Sequence, residues 1–432
     1  MQNEKKKKER IFTKYEVFVI SVLAFLQFTI ILDFMVLSPL GAQLLLELNI
    51  TTSQFGWVVS AYAFSAGASG LLTAGFADKF DRKKLLLFFY VGFIGGTLLC
   101  ALAPDYPSLL IARIITGIFG GVIGSISFAI ITDLFRMEVR GRVMGFVQMA
   151  FATSQVMGIP VGLYLANNLG WHSPFFMIVA ISVLVGIGIV IYFRPINAHL
   201  STPSDRSPVQ HLIKTISHPI YLRAFAATTL LATGGFMLMP FGSAFSVNNL
   251  GIQQDQLPLL YMITGIFAMI AGPWVGKLTD VIGKYKIFCL GSMLGMTMVV
   301  IYCNLGITPF WIVITLNVIM FIGISSRMIS SSALMTAIPD AKDRGAFMSV
   351  NSSIQQISGG VASAIAGLIV VQTESGALLH YDTLGYVVVG AMLITMVMMY
   401  FINEQVTRKS AAETSTKRVD IIPGIQKDVS KV

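Results

Sequence analysis

Hydrophobic residues in this chain come in long runs broken by short charged loops. Apolar windows of about 20 residues fall near 16–41, 53–77, 85–103, 107–133, 143–166 and 172–193, and a second set falls near 220–247, 257–279, 286–304, 308–336, 345–371 and 383–402. A helix of about 20 residues crosses the roughly 30 Å hydrocarbon core of a bilayer. No alternating strand pattern is visible, and backbone groups in lipid must pair within their own span. The windows therefore predict an all-α membrane protein of twelve transmembrane helices in two groups of six.

The loops carry a second pattern. Ala74 to Lys84 reads AGFADKFDRKK, and Gly276 to Lys286 reads GKLTDVIGKYK. Each copy places an Asp (Asp78, Asp280) four residues after a small residue, followed by basic residues (Arg82 and Lys83; Lys284 and Lys286). Gln54 precedes the second window as Gln256 precedes the eighth, and Arg140-Gly141 opens the fifth as Arg344-Gly345 opens the eleventh. Landmarks repeated at a separation of 202 to 204 residues imply a duplicated bundle. The expected organisation is a basic tail over 1–15, a six-helix bundle over 16–193, a polar linker over 194–219, a second six-helix bundle over 220–402 and a tail over 403–432. That last segment, rich in Lys, Ser, Thr and Asp, reads as disordered.

Composition agrees with the pattern. Hydrophobic residues make up 55% of the 432, charged residues only 12% against about 25% in soluble domains, and the mean hydropathy is +0.76. A net charge of +9 would suggest nucleic acid as partner in a soluble protein, but here the placement of the charge decides. All but Arg113 and Arg327 of the 30 Lys and Arg fall in the tails or in and beside every second loop. The alternate loops, around Glu47, Asp105, Asn167, Asp255, Asn304 and Glu374, carry none. The positive-inside rule then predicts a multi-pass protein of the cell membrane with both termini cytoplasmic.

The basic start, MQNEKKKKER, runs into an apolar stretch with no small-residue cleavage site and reads as a retained first span. Its four lysines rest on an anionic inner leaflet at about 1 kcal/mol each. Cys100, Cys289 and Cys303 lie in apolar runs without metal-ligand spacing, so no disulfide framework and no metal site is expected. The five histidines fall in or beside loops, and HExxH, GxSxG and GxxxxGK[ST] are missing, which argues against an enzyme, a nucleotide-driven pump or a bound cofactor.

These residues resemble the major facilitator superfamily, from about Tyr15 to Phe401. That family's loop between helices 2 and 3 runs Gly-x-Leu-x-Asp-Arg-x-Gly-Arg-Arg/Lys. Asp78, Lys79, Arg82 and Lys83 fit it, while Ala74 and Asp81 stand where the glycines belong; the second copy keeps both, as Gly276 and Gly283. The resemblance implies two bundles around a central cavity lined by helices 1, 4, 7 and 10. It also implies a conformational latch built from Asp78, Arg82, Lys83, Asp280 and Lys284, with Asp78 facing the start of helix 11. A carboxylate there gains about 0.3 to 1 kcal/mol and biases two rocking states.

Two further markers resemble the twelve-helix drug/proton antiporters: Arg113-Ile-Ile-Thr-Gly117 in span 4, and Gly158-Ile159-Pro160-Val161-Gly162 followed by Gly170-Trp171 in span 5, where Ile159 interrupts the usual Gly-Pro. This group implies a small-molecule substrate, protons as the energy source and a monomer as the working unit.

Charges inside the apolar windows carry the candidate chemistry. Asp33 lies about seven residues from the edge near Leu40, and Arg113 about six residues inside Pro107, so both sit about 10 Å below one surface and are able to meet. Each alone would cost about 2.5 to 3.5 kcal/mol or more at mid-membrane. Asp33 reads as the group that exchanges a proton as the cavity alternates sides, with Arg113 favouring its charged form; a purely structural ion pair is the competing reading. One proton re-entering down about 100 mV supplies about 2.3 kcal/mol, a substrate ratio of roughly fifty.

Arg327 lies among Ser325, Ser326, Ser330 and Ser331 with no acidic residue in its own span. If it faces the cavity it admits an anionic or zwitterionic substrate; otherwise it donates to helix carbonyls or closes a gate. Gln148, Gln155, Asn351, Gln355 and Gln356 either bind substrate or join helices. Tyr62, Phe64, Phe146 and Phe236 are candidate cavity aromatics or packed ones. The leading expectation is proton-coupled efflux of a small amphipathic molecule. The alternative is a proton symporter importing a sugar, amino acid or organic anion, against which the Gly/Pro pattern of span 5 argues mildly.

Overall fold

A computed structural model describes residues 12–73, 79–197, 213–339 and 343–420. The first half contains span 1 (Lys14–Val36), span 2 (Thr52–Thr73), span 3 (Arg82–Ala101), span 4 (Tyr106–Leu134), span 5 (Met137–Thr153, a π turn Ser154–Gly158, and Ile159–Leu169) and span 6 (Ser173–Tyr192). The second contains span 7 (Pro219–Phe236), span 8 (Leu257–Ile282), span 9 (Lys284–Cys303), span 10 (Phe310–Met335), span 11 (Arg344–Ile369) and span 12 (Tyr381–Asp420). Eleven of these helices are long and apolar enough to cross a membrane. Span 11 is the polar exception, because Asn351, Gln355, Gln356 and several serines interrupt its apolar run.

The ends of the spans follow local chemistry. Asp105 caps span 4 by accepting from the Ser108 amide and hydroxyl, which holds its carboxyl below the usual range. The two copies of the charged turn reach the same result differently. Gly283 joins spans 8 and 9 at φ +112°, a backbone that L side chains rarely adopt. Asp81, at the matching place, has φ −56° and caps span 3 through the Lys84 amide. Its replacement of glycine is thus a change of turn chemistry. Asp78, the linker over 198–212 and most of the N-terminal tail lie outside the described residues.

One expectation is corrected. The segment after Asn403 does not begin a disordered tail, because span 12 continues as helix to Asp420. Helix-favouring residues carry it on, Glu404 pairs with Arg408 one turn later, and Lys409 donates to the Ile338 carbonyl at the end of span 10.

The halves meet most closely at the end that carries the loops free of Lys and Arg. There the chain after span 1 folds into a short helix, Gly41–Glu47, and the chain after span 7 into its counterpart, Gly242–Asn248. These two pack on each other: Ser243 donates to the Ser38 carbonyl at 2.9 Å, and the Phe55 and Phe241 rings lie 5.8 Å apart. Span 2 lies along span 11, with Thr52 donating to the Val370 carbonyl and Ser60 to the Gly360 carbonyl. A Cβ on Gly56 would stand 2.9 Å from the Ser363 carbonyl and 3.2 Å from the Gly367 Cα, so this crossing requires small residues. A two-stranded hairpin, β1 (Val371–Gln372) and β2 (Leu378–Leu379), closes the loop after span 11.

Spans 5 and 8 cross at the same end. Gly265 abuts the Gln155 backbone, and Asn167 donates to the Gln254 carbonyl. Span 8 packs on the π turn and final segment of span 5 but barely on its first segment. Toward the basic end, a Cβ on Gly141, Gly145, Gly272 or Gly276 would meet nothing within 4 Å. The halves therefore diverge along spans 5 and 8 toward the basic end, while spans 2 and 11 stay in contact as far as Gly67 and Gly70, which abut Ser353 and Ile357.

Replacing Gly367 by Val is expected to force apart the joint at the basic-free end. Spin labels at Glu47 and Glu374, both exposed at that end, should report a longer distance than in the parent protein; an unchanged distribution would show that the close crossing does not hold the end shut.

Candidate functional site

Asp33 and Arg113 meet. Arg113 Nη1 donates to Asp33 Oδ2 at 2.8 Å, and both side chains are wholly buried. Thr97 of span 3 donates to Asp33 Oδ1 at 3.2 Å, so the carboxylate is held from two sides. The Tyr62 ring of span 2 lies over the guanidinium, 4.6 Å from its carbon. Four helices of the first half thus converge on one ion pair. Asp33 was expected to face a wet cavity; here it faces the interior of its own bundle. Proton exchange at this position needs a conformational change to admit water.

The pair sits beneath the joint between halves. Phe34, the neighbour of Asp33, has its ring 5.2 Å from Tyr62 and 5.8 Å from Phe236 of span 7. Of the other aromatics, Phe64 lies against Gly360 of span 11 and Phe146 is exposed.

Span 5 approaches span 1 through the glycines of its Gly/Pro motif. A Cβ on Gly158 would stand 2.7 Å from Leu32 Cδ1, and one on Gly162 would stand 3.1 Å from Val36 Cγ2. Pro160 offers no amide to the preceding turn, and the helix widens there into the π turn. Ser154, at its start, donates to the Phe28 carbonyl of span 1. The motif therefore places a widened turn where span 5 touches both span 1 and span 8.

Arg327 stands apart from that cluster. It is 3% exposed, its Nε donates to Ser292 Oγ at 3.1 Å, and the Phe288 ring centre lies 5.7 Å from its guanidinium carbon. Nη2 is buried without a hydrogen-bond partner. Asn351 accepts from Thr228 at 2.6 Å and Ser358 donates to Thr229, so this part of span 11 is joined to span 7 by polar contacts. Gln155 and Gln355 are half-buried, and Gln148 is exposed. No hydrogen bond among the described residues ties Gln148, Gln155 or Gln355 to Arg327.

The family model described as Major Facilitator Superfamily matches residues 23–302 and 224–431. The chain belongs to the major facilitator superfamily. Multidrug resistance protein 2 of Bacillus subtilis is 22% identical over 358 residues, 81% of this chain and 87% of that one. Multidrug resistance protein 3 of the same organism is 33% identical over 152 residues, 35% of this chain and 30% of that one. In three dimensions the chain is similar to the D-xylose-proton symporter (TM-score 0.71, 18% identity, 88% of this chain and 97% of that one). It is also similar to a bacterial homologue of the human lysosomal transporter Spinster in an inward-facing, unoccupied conformation (TM-score 0.68, 16% identity, 91% and 97%). At these identities the structures establish the fold, and the family makes the chain a membrane transporter of small molecules rather than an enzyme.

The superfamily's charged turn is held from within its own half. Arg82 pairs with Asp133 at the end of span 4 (3.0 Å), and Lys83 donates to the Val190 and Phe193 carbonyls that end span 6. Arg140 donates to the Thr132 and Phe135 carbonyls. In the second copy Asp280 is exposed and Lys284 half-buried. Asp133, Thr97 and the capping role of Asp81 escaped the sequence reading; a helix-terminal acid 51 residues from its partner Arg82 gives no local signal.

Asp33→Asn is expected to lose about 3 to 5 kcal/mol of stability, because Arg113 stays buried without a counter-charge. The double variant Asp33→Leu/Arg113→Met should recover more than half of that loss in thermal unfolding in mild detergent. Losses that simply add would show that the two groups do not act as a pair.

Proposed function

We propose that this protein is a proton-coupled exporter of a small amphipathic molecule, working by alternating access as a monomer in the cell membrane with both termini cytoplasmic. The observation that carries the reading is the buried Asp33–Arg113 pair, since a carboxylate whose counter-charge among the described residues is one guanidinium can release that partner when a proton replaces it. The distribution of Lys and Arg makes the basic end cytoplasmic, so the conformation described above opens inward. In that state Asp33 is paired and has given up its proton to the cytoplasm. After the halves rock, external water reaches Asp33, Arg113 is released, and the proton is taken up as substrate leaves.

Support for export comes from the Gly158–Pro160–Gly162 motif, whose π turn lets span 5 bend where it contacts span 8, and from the resemblance to the two multidrug resistance proteins. Arg82, Lys83 and Arg140 keep the cytoplasmic ends of spans 3 to 6 together, so the first half rocks as one body. Substrate contacts are assigned to Gln148, Gln155, Asn351, Gln355 and Arg327.

In proteoliposomes carrying a pH gradient equivalent to about 100 mV and no membrane potential, dansylglycine should accumulate against its own gradient, by up to roughly fifty-fold per proton exchanged. Asp33→Asn should reduce this to downhill equilibration. Gradient-driven accumulation that survives in Asp33→Asn would remove Asp33 from proton coupling.

A further inference from the structure

The basic ends of spans 1 and 6 carry a group of side chains that the transport mechanism leaves unused. Span 1 begins at Lys14, and span 6 ends at Tyr192, two residues before Arg194. Tyr15 holds Arg194 in two ways. Its hydroxyl accepts from the Arg194 amide at 3.0 Å, and its ring lies against the guanidinium, with the ring centre 4.8 Å from the guanidinium carbon. The chain on either side is fixed too, because Lys83 donates to the Phe193 carbonyl and the Arg82 amide to the Ile196 carbonyl. Arg194 is thus an exposed side chain on a backbone tied to both span 1 and span 3.

Its donors are free. The guanidinium makes no hydrogen bond among the described residues, and no carboxylate among them pairs with it or with Lys14, which is also exposed. The nearest acid in sequence, Glu16, accepts from the Thr13 amide and hydroxyl in the cap of span 1. Other arginines at this end already have partners: Arg82 pairs with Asp133, and Arg408 with Glu404.

The surface beside the two cations is aromatic and apolar. Phe18 lies one turn from Lys14 on the same face of span 1, and its ring is 5.8 Å from Tyr192 and 6.5 Å from Tyr15. Tyr192 and Ile191 are exposed, as is Phe25, two turns beyond Phe18 on that face. Unpaired cations at the edge of a span, then aromatic rings, then bare apolar surface follow the order of groups along a phospholipid.

We infer that this group is a site for one anionic phospholipid, whose phosphate sits on the Arg194 fork beside Lys14 and whose acyl chains run along Phe18, Tyr192 and Phe25. A soluble phosphate would leave the exposed aromatic surface uncovered, so the occupant is a lipid. The orientation proposed above places it in the inner leaflet; the site itself does not rest on the direction of transport.

The experiment counts lipids bound to the purified full chain in mild detergent by native mass spectrometry, comparing phosphatidylglycerol with phosphatidylcholine of the same acyl chains. The parent protein should bind its first phosphatidylglycerol about tenfold more tightly, the worth of one charge-assisted contact. Arg194→Gln should remove most of that preference. Arg194→Lys, which keeps the charge and loses the planar fork, should fall between, and Tyr15→Leu should weaken phosphatidylglycerol about threefold without removing any charge. Because Arg194 is exposed, both of its variants should unfold at the parent's temperature without added lipid.

Lys286, exposed near the start of span 9 in the other half, separates a site from a general attraction to basic charge. Lys286→Gln should leave the preference of the first lipid unchanged. An equal loss in Lys286→Gln and Arg194→Gln would reduce the effect to diffuse attraction and overturn the site, as would equal binding of the two lipids by the parent protein. Displacement of the lipid by glycerophosphoglycerol, which has the headgroup and no acyl chains, would make the ligand a soluble phosphodiester and overturn the lipid assignment. Asp33→Asn should keep the lipid preference whether or not it loses proton-driven flux, so failure of the transport reading leaves this test intact.

Discussion

A carboxylate and a guanidinium that never touch water in this conformation hold the first half together. Asp33 and Arg113 fix spans 1 and 4 at a common depth, Thr97 adds span 3, and Tyr62 lays span 2 over the pair. In hydrocarbon neither charge is tolerable alone, so their joint is strong while intact and costly to break. Span 2 carries the pair on one face and packs along span 11 on the other. The ion pair is thus physically continuous with the surface on which the two halves meet, through Tyr62, Phe34 and Phe236. This contact supplies a material route for coupling the pair to the joint.

The two bundles, built from a duplicated sequence, have diverged in what they bury. The first holds a neutral pair; the second holds Arg327, with which no carboxylate pairs among the described residues. Asn317 of span 10 stands at the repeat position of Arg113 and donates to the Val313 carbonyl of its own helix, so the second half has no copy of the ion pair. Arg327 lies about three turns further along the same helix. The symmetric scaffold thus carries asymmetric charge. The conformational joint is shared more evenly. Short helices after spans 1 and 7 match each other across the basic-free end, and small residues on spans 2 and 11 allow backbones to touch.

Much of this was legible in the sequence because membrane folding leaves few choices. Twelve windows, the 202- to 204-residue repeat and the alternation of basic loops predicted the helical order. Counting residues from the loop edges placed Asp33 and Arg113 at one depth, and at that depth they pair. The isolation of Arg327 was visible too, since no acid lies in its span. What could not be read were contacts set by helix rotation and tertiary approach. Thr97 and Asp133 are ordinary residues until spans 3 and 4 pack. Asp81 stood out only as a residue in place of the family's glycine, whereas its side chain caps span 3. The π turn depends on Pro160 acting within a particular packing of span 5. The extension of span 12 to Asp420 follows from helix-favouring residues in a segment whose polarity suggested disorder. Burial of Asp33 was missed because a sequence shows which helix carries a charge and not which way it points.

In the proposed cycle Asp33 is a carboxylate when the protein opens at its basic end and takes a proton when it opens at the other. Infrared difference spectroscopy of the protonated-carboxyl stretch, comparing the parent protein with the Gly367→Val variant in lipid at one pH, reads this directly. An additional protonated-carboxyl band is expected in the variant, and it should disappear when Asp33→Asn is added. A spectrum with no such band, or one indifferent to Asp33→Asn, would contradict that cycle.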